Sequence, residues 1–250
     1  MKTIAKTLKV LKCFTPEHEE WGVTELGRAT GIHKVIVHRV LRSLAAERFV
    51  VQDPKNRRYR LGGGLIELAR NSLRNVNVAD VARPHLEKLR NDTKETVLLS
   101  VRRGLSILVV GAYESPQTIR VTGVVGDQAP MHCSAAGKLF LSFGPPAVLE
   151  ELLAHRLKTY TPKSLTHAAA LKEELARVHK RGWAVDDEES VPGIRAVAAP
   201  VTRNDGGIEA CIAVRGPAAR LPRSGFRRLA ARVVLAANIV SAEMQQREKS

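Results

Sequence analysis

The sequence is poor in aromatic residues and in cysteine, and it has no long apolar run. Aromatic residues make up 4% of its 250 positions, and there are three cysteines, which are far apart and form no C-x-x-C motif. Such usage argues against a disulfide scaffold and fits a reducing compartment. The N-terminal segment "MKTIAKTLKVLKCF" has a lysine every few residues, so it does not read as a signal peptide. No stretch approaches the ~18 consecutive apolar residues of a membrane-spanning helix. We therefore expect a cytoplasmic protein without a membrane partner.

Acidic residues are also in short supply. The chain has 25 Asp and Glu against 40 Lys and Arg, which gives a formal net charge of +15. The basic residues are densest at the N-terminus, where positions 1–75 hold 15 Lys and Arg against 7 Asp and Glu. A surplus of this size indicates a polyanionic partner, with nucleic acid ahead of an anionic membrane surface.

The first 62 residues have the pattern of a winged helix-turn-helix. Apolar residues at helical spacing predict a helix over 3–14. Thr24 is expected to cap a short second helix that ends at Gly31, and a third helix follows over 33–47. The segments "FVVQD" and "RRYRLG", separated by "PKN", predict a two-stranded hairpin.

The third predicted helix, within "GIHKVIVHRVLRSL", has one apolar face and one basic face. At 100° per residue the apolar side chains fall together, and the basic ones fall on the opposite side. His33 and His38 are five residues apart with no carboxylate or cysteine beside them, which argues against a metal site. A solvated charged face is the plain alternative. A helix in this position can instead lie in a major groove, while the hairpin follows the DNA backbone. The candidate DNA-contacting residues are Thr24, His33, Lys34, Val35, His38, Arg39, Arg42, Arg57 and Arg58.

The rest of the chain predicts an α+β domain. "GGGLIELARNSLRN" is amphipathic, and "VNVAD" marks a boundary near residue 76. Helices are expected near 79–93, 134–143, 145–155, 168–181 and 223–246. Strands are expected in "TVLLSV", "SILVVGAY", "IRVTGVV", "IRAVAAPVT" and "IEACIAVRG". Long strands mixed with peripheral helices are typical of a sensor-like domain.

Motifs that could indicate an enzyme are weak. "DDEE" at 186–189 could supply paired carboxylates, but a solvated loop explains it more simply. "MHC" at 131–133 could hold a Cys–His pair, but neighbouring residues of a strand point to opposite faces. "LGGGL" lacks the spacing of a dinucleotide-binding loop. We expect no catalytic residue, no metal site and no cofactor.

Several long motifs, in a fixed order, resemble the IclR family of bacterial transcription regulators. They are "TELGRATGIHKVIVHRVLRSLAAERFVVQDPKNRRYRLG", "APMHCSAAGK", "RGWAVDDEESVPGIRAVAAPV" and "IAVRGP". The resemblance implies a winged helix-turn-helix over 1–63, a linker helix over 64–76 and a GAF-like effector-binding and oligomerisation domain over 77–250. It also implies a homodimer or homotetramer that binds palindromic double-stranded operators. The family often has Ser-Thr where this chain has Val35 and Ile36, so a different operator is expected.

The resemblance further implies a pocket for a small organic acid. The positions that match the family's pocket are Val121, Ala129, Ala135, Ala136, Asp186, Ala196, Ala213 and Arg215. Amides of Ala135 and Ala136 at a helix start suit an anion. Two alanines and one arginine, at positions where some relatives carry hydroxyls or thiols, favour a larger, partly apolar ligand such as an aromatic carboxylate. The alternative is that Arg215 points outward from its strand.

The expected function is a ligand-responsive, sequence-specific transcription regulator, a repressor of a small catabolic or transport operon. Two other classes stay open at this point. One is a non-specific architectural protein that coats nucleic acid, and the other is an enzyme that acts on a small carboxylate.

Overall fold

A computed structural model of the chain describes residues 2–15, 17–74 and 78–247, with the side chains of Lys2 and residues 69–74 left aside. The chain divides into two compact units, Met1–Val76 and Asn77–Ser250. Each unit has its own hydrophobic core. No helix in the described part of the chain is both long and apolar enough to cross a bilayer.

The first unit is a winged helix-turn-helix. Its elements are α1 (Lys2–Leu11), α2 (Val23–Thr30), α3 (Lys34–Ala46), β1 (Val50–Gln52), β2 (Tyr59–Leu61) and α4 (Gly63–Arg74). Strands β1 and β2 pair antiparallel, and Trp21 adds a single bridge to Tyr59. The core lies between α1, α2, α3 and the hairpin, because each helix turns its apolar stripe inward.

The turn between α2 and α3 depends on Gly31, as the sequence predicts. Gly31 caps α2 with φ of 68°, a left-handed conformation that suits glycine. The other end of α2 differs from the prediction. Gly22 is the N-cap, and its amide donates to Glu25 Oε2 at 3.1 Å. Thr24 is therefore the second residue of the helix, and its assignment as the N-cap is wrong.

The second unit is built on one antiparallel sheet of six strands. The strands are β3 (Thr96–Arg103), β4 (Ser106–Tyr113), β5 (Gln128–Pro130), β6 (Ala184–Asp187), β7 (Ile194–Thr202) and β8 (Ile208–Pro217), arranged in the order β5-β4-β3-β8-β7-β6. The helices are α5 (Val78–Thr93), α6 (Ala135–Phe143), α7 (Pro146–Leu153), α8 (Ala168–Arg181) and α9 (Phe226–Arg247). Helices α5 and α9 pack on one face of the sheet and α6 packs on the other. The architecture is α+β, as predicted.

One strand prediction in this unit is wrong, and one strand was not predicted. "IRVTGVV" is a loop, in which Ile119 is 77% exposed and the Val121 carbonyl accepts a hydrogen bond from Thr96 Oγ1. The edge position beside β4 is taken by β5 instead. The segment "AVDD", for which the sequence predicts no strand, forms β6 and so includes the first two acids of "DDEE".

Candidate functional site

Helix α3 presents a basic face to solvent because its apolar residues are tied into the core. Val37, Val40, Leu41 and Leu44 are buried against α1, α2 and the hairpin. The helix begins after His33, whose Nδ1 accepts a hydrogen bond from the Val35 amide at 3.4 Å. The core side chains therefore fix which residues face outward.

The outward face of α3 carries the side chains that the sequence predicts for it. The exposed residues are Lys34, Val35, His38, Arg39 and Arg42, with His33 exposed at the preceding cap. Val35 is 64% exposed and stands among these basic side chains. In the part of the chain that the structure describes, no hydrogen bond or ion pair is made by the four basic side chains of α3, which are Lys34, His38, Arg39 and Arg42. This face is therefore free to take an anionic partner.

The two arginines of the wing differ in their surroundings. Arg57 is exposed in the turn, with φ of 58°. Arg58 donates from Nη1 and Nη2 to the two oxygens of Glu25, at 3.1 and 2.7 Å, and from Nη2 to the Glu20 carbonyl at 3.0 Å. Its guanidinium thus joins the wing to the start of α2. A DNA contact from Arg58 stays a prediction, and its guanidinium is already paired with Glu25, whereas Thr24 and Arg57 are accessible.

In the second unit, three neighbouring strands place the predicted pocket residues on one face of the sheet. Asp186 pairs with Ala196 across β6 and β7, and Ala196 pairs with Arg215 across β7 and β8. Paired residues of adjacent strands project to the same side. The small Ala196 side chain therefore leaves an open space between a carboxylate and a guanidinium.

The opposite wall is the start of α6. Ser134 caps this helix by accepting a hydrogen bond from the Gly137 amide at 3.1 Å. Ala135 and Ala136 follow in the first turn. Gly137 allows the close approach of this turn, because a Cβ there would lie 2.3 Å from the Met131 carbonyl oxygen. The amides at the helix start provide partial positive charge toward the space below them.

Between these walls lies a cavity of about 260 Å³. Seven of the eight pocket residues implied by the family resemblance line it, and they are Ala129, Ala135, Ala136, Asp186, Ala196, Ala213 and Arg215. Val121 does not line it, since it belongs to the loop that was predicted as a strand. The lining residues that sequence reasoning missed include Leu98, Ser100, Ile107, Tyr160, Ser190 and Val191. The alternation of side chains along β3 could have indicated Leu98 and Ser100, but the loop residues carried no such signal.

Arg215 is the unusual group of this cavity. It is partly buried, and its guanidinium makes no ion pair or hydrogen bond with the described residues. Burial lowers its pKa from the ordinary value, while Asp186 and Asp127 act in the opposite direction. Partial desolvation without a partner is costly for a cation, so an anion placed beside Arg215 would be stabilised.

Asp186, by contrast, already has its partners. Its carboxylate accepts from the Glu189 amide at 2.8 Å, from the Ser190 amide at 3.3 Å and from the Ser190 hydroxyl. Burial raises the pKa of Asp186, and these hydrogen bonds oppose the rise. Asp186 thus fixes the loop after β6 against the cavity, and Ser190 completes that wall.

The "DDEE" segment is not the solvated loop that the sequence suggested. Asp187 and Glu188 pair with Arg195 at 2.6 and 3.0 Å. Glu189 is buried, and its Oε1 lies 2.6 Å from Nζ of the fully buried Lys138. Asp187 also pairs with Arg223, and Glu188 also pairs with Lys163. The four acids therefore bind separate sets of partners, and the segment does not form a pair of catalytic carboxylates.

The "MHC" segment does not have the features of an activated nucleophile. It lies in a turn before α6 rather than in a strand. Burial, with Asp186 and Glu189 nearby, raises the pKa of the Cys133 thiol to about 12. His132 uses Nε2 to contact the Lys158 carbonyl at 2.9 Å. Among the described residues, no group of three or more His, Cys, Asp or Glu side chains is arranged to hold a metal ion.

Comparison with known proteins agrees with both halves of this description. The model "IclR helix-turn-helix domain" matches residues 3–54, and the model "Bacterial transcriptional regulator IclR C-terminal" matches residues 70–242. The HTH-type transcriptional regulator BhcR of Paracoccus denitrificans is 32% identical over 227 residues, which cover 90% of this chain and 81% of that one. The acetate operon repressor of Salmonella typhimurium is 29% identical, with 96% and 89% covered.

Solved structures show the same fold. An IclR homologue from Microbacterium hydrocarbonoxydans, crystallised with 4-hydroxybenzoate, superposes with a TM-score of 0.88 at 21% identity and covers 98% of this chain and 99% of that one. The matched models together span most of the sequence. The chain therefore belongs to the IclR family of bacterial transcription regulators, whose helix-turn-helix domain binds DNA.

Proposed function

We propose that this chain is a cytoplasmic, sequence-specific repressor of a small catabolic or transport operon, and that a small organic acid, an aromatic carboxylate, modulates its operator binding. It acts as a homodimer or homotetramer on a palindromic double-stranded site. It has no enzymatic activity of its own. The observation that carries the proposal is the unpartnered Arg215 guanidinium in the cavity of the second unit.

DNA recognition is assigned to the outward face of α3. Arg39 and Arg42 reach guanine edges or phosphates, and Lys34 and His38 add donors. Val35 offers its exposed methyl groups to a thymine methyl. Thr24, at the start of α2, and Arg57, in the wing, contact phosphates, while His33 positions the helix as its cap.

Effector recognition is assigned to the cavity. Arg215 binds the carboxylate, and the amides of Ala135 and Ala136 stabilise the same charge. Ala196, Ala213 and Leu98 leave an apolar space that accepts a ring. The complex of the Microbacterium hydrocarbonoxydans homologue with 4-hydroxybenzoate supports the idea that this fold can hold an aromatic acid. An acid shifts operator occupancy only by its difference in affinity for the free and DNA-bound arrangements.

The DNA part is tested by gel shift on the duplex upstream of the chain's own gene, with random duplex as competitor. Arg39→Ala should weaken binding to the upstream duplex by roughly ten- to a hundredfold, the range expected for loss of a base contact. Arg103→Ala is the matched control, because Arg103 is an exposed arginine in the second unit. Equal binding of both duplexes would favour a non-specific architectural protein.

The effector part is tested by isothermal titration with a panel of aromatic and aliphatic monocarboxylates. At least one acid should bind the wild type, and Arg215→Gln should weaken that binding by about tenfold or more. Arg103→Gln should leave it unchanged. The same acid should alter the gel shift of the wild type but not of Arg215→Gln. Equal affinity of the acid for wild type and Arg215→Gln would contradict this assignment, and consumption of the acid would indicate an enzyme.

A further inference from the structure

A second cavity of about 400 Å³ adjoins the cavity of Arg215. Its floor is apolar and includes Met131, Leu152 and Leu157. Its rim carries His155, Arg156 and Lys158, which are exposed. No Asp or Glu is among the residues that line it. An apolar floor with a basic rim suits the end of a ligand that combines a hydrocarbon body with a negative charge.

The two cavities share one wall. Gln128, Ala129 and Pro130 of β5 line both of them, and so does Tyr160. Because this wall is shared, a ligand longer than the cavity of Arg215 would extend along it into the second cavity.

Tyr160 is held at this boundary only by weak contacts of its ring. Nζ of Lys158 lies 5.0 Å from the ring centroid, and the His132 ring lies 5.9 Å away in a tilted arrangement. The Tyr160 residue is 42% exposed, and its hydroxyl has no hydrogen-bond partner in the described ranges. Its side chain can therefore turn aside without breaking a strong interaction.

The rim cations are available for a ligand. Arg156 forms no ion pair or side-chain hydrogen bond with residues that the structure describes. The Lys158 ammonium lies over the Tyr160 ring and forms no ion pair or hydrogen bond with those residues either. Arg156 and Lys158 line the same cavity, and no acid lines it, so a carboxylate bound at this rim would be attracted by both cations.

We propose that one effector molecule occupies both cavities and that it is a dicarboxylic acid with an apolar spacer. One carboxylate binds Arg215 and the start of α6, the spacer passes the Tyr160 wall, and the second carboxylate binds Lys158 and Arg156. This inference rests on the proposed function, since it extends the site of Arg215.

The test is isothermal titration of the full chain with two matched series: straight-chain dicarboxylates of four to nine carbons with the corresponding monocarboxylates, and a benzene dicarboxylate with benzoate. In the wild type, the best diacid should bind about tenfold or more tightly than its monoacid partner, with one molecule per chain. The double variant Arg156→Gln/Lys158→Gln should lose this advantage while it binds the monoacid as before. The matched control is Lys172→Gln/Lys180→Gln, because both lysines are exposed on α8 without a partner among the described residues.

Several outcomes would overturn the inference. They are a diacid with no advantage over its monoacid, two diacid molecules per chain, and a monoacid weakened as much as the diacid by the rim variant. In each of these cases the proposed function stands if Arg215→Gln still weakens the monoacid. If no acid of either series binds the wild type, this inference and the effector part of the proposed function both fail, while the DNA part keeps its own test.

Discussion

Lys138 is a lysine in the interior of the second unit, with 1% of its side chain exposed. Its Nζ lies 2.6 Å from Oε1 of Glu189, while Oε2 of Glu189 is buried without a hydrogen-bond partner among the described atoms. Breaking a buried pair from one side leaves an uncompensated charge, which is far more costly than replacing both groups. This pair is thus a sensitive point of the second unit.

Lys138→Met should lower the free energy of unfolding of the second unit by about 3–5 kcal/mol at pH 8. Urea denaturation measures it, with Trp183 as the fluorescent reporter in a Trp21→Phe background. The control Lys163→Met removes the more exposed Lys163–Glu188 pair and should cost much less. The double variant Lys138→Met/Glu189→Gln should recover part of the loss. Equal costs for the two lysine variants would show that the buried charge is compensated in another way.

Glu189 should also make the stability of the unit depend on pH. Burial raises its pKa from 4.5 to about 7, although Lys138 opposes the rise. The folded chain therefore holds this proton more tightly than the unfolded chain. The resulting stabilisation is fully present below about pH 4.5 and is lost as the pH rises through about 7. Relative to Glu189→Gln, the wild type should lose stability over this window, as measured by urea unfolding at several pH values. Parallel profiles for the two proteins would mean that Glu189 keeps an ordinary pKa.

At the scale of elements, Arg58 links the wing to α2 by hydrogen bonds and an ion pair. Its contacts with Glu25 join the hairpin to the helix that precedes the turn, and Glu25 also accepts from the Gly22 amide. The guanidinium of Arg57 has no such role. The two neighbouring arginines should therefore contribute differently to DNA binding.

Arg57→Gln should weaken operator binding by severalfold and flatten its salt dependence, because a free guanidinium is lost from the wing. Arg58→Gln should change the salt dependence less, since its charge is already compensated by Glu25. Fluorescence anisotropy at several salt concentrations separates the two effects. A larger change of salt slope for Arg58→Gln than for Arg57→Gln would show that the ion pair opens on DNA.

Element prediction from the sequence succeeded where hydrophobic periodicity was strong and failed where a loop imitated it. The apolar stripes of α3 and α9 and the alternation in β7 and β8 fixed those elements. Residues 119–125 alternate in the same way, but a loop conformation holds them through the Thr96–Val121 hydrogen bond and the turn at Gly126. Strand β6 was missed because its last two residues are acids, and their partners Arg195 and Ser190 are visible only after folding.

At the scale of the whole molecule, the basic surplus should be visible in the salt dependence of DNA binding. About half of the net charge of +15 lies in residues 1–75, where 15 Lys and Arg stand against 7 Asp and Glu. The four basic side chains of α3 have no protein partners in the described part of the chain. Each phosphate contact releases counterions, with a slope of about −0.9 per contact in a plot of log affinity against log salt. Arg39→Ala/Arg42→Ala should reduce the slope by roughly one to two, depending on how many of these contacts are to phosphates. An unchanged slope, measured by anisotropy, would mean that neither arginine touches a phosphate.

The basic face of α3 and the cavity of the second unit could be predicted from the sequence to different extents. The basic face of α3 follows from a single helical period, so the sequence alone could place it. The cavity needed the family resemblance, because Asp186, Ala196 and Arg215 are brought together by strand register across a sheet. Neither the helical period nor the family resemblance could indicate that Arg58 pairs with Glu25, or that Lys138 pairs with Glu189 in the interior. Such pairs depend on tertiary contacts, which produce no periodic pattern in the sequence.

The alanines at positions 196 and 213 have a consequence for engineering. Both lie on central strands with hydrogen-bonded neighbours on each side, so the backbone beneath them is fixed. Replacing either alanine with a larger residue would reduce the volume of the cavity by one or two methyl groups at a time, and Arg215 would stay in place. A set of such variants would form a graded series of biosensors that report acids of decreasing size through one operator.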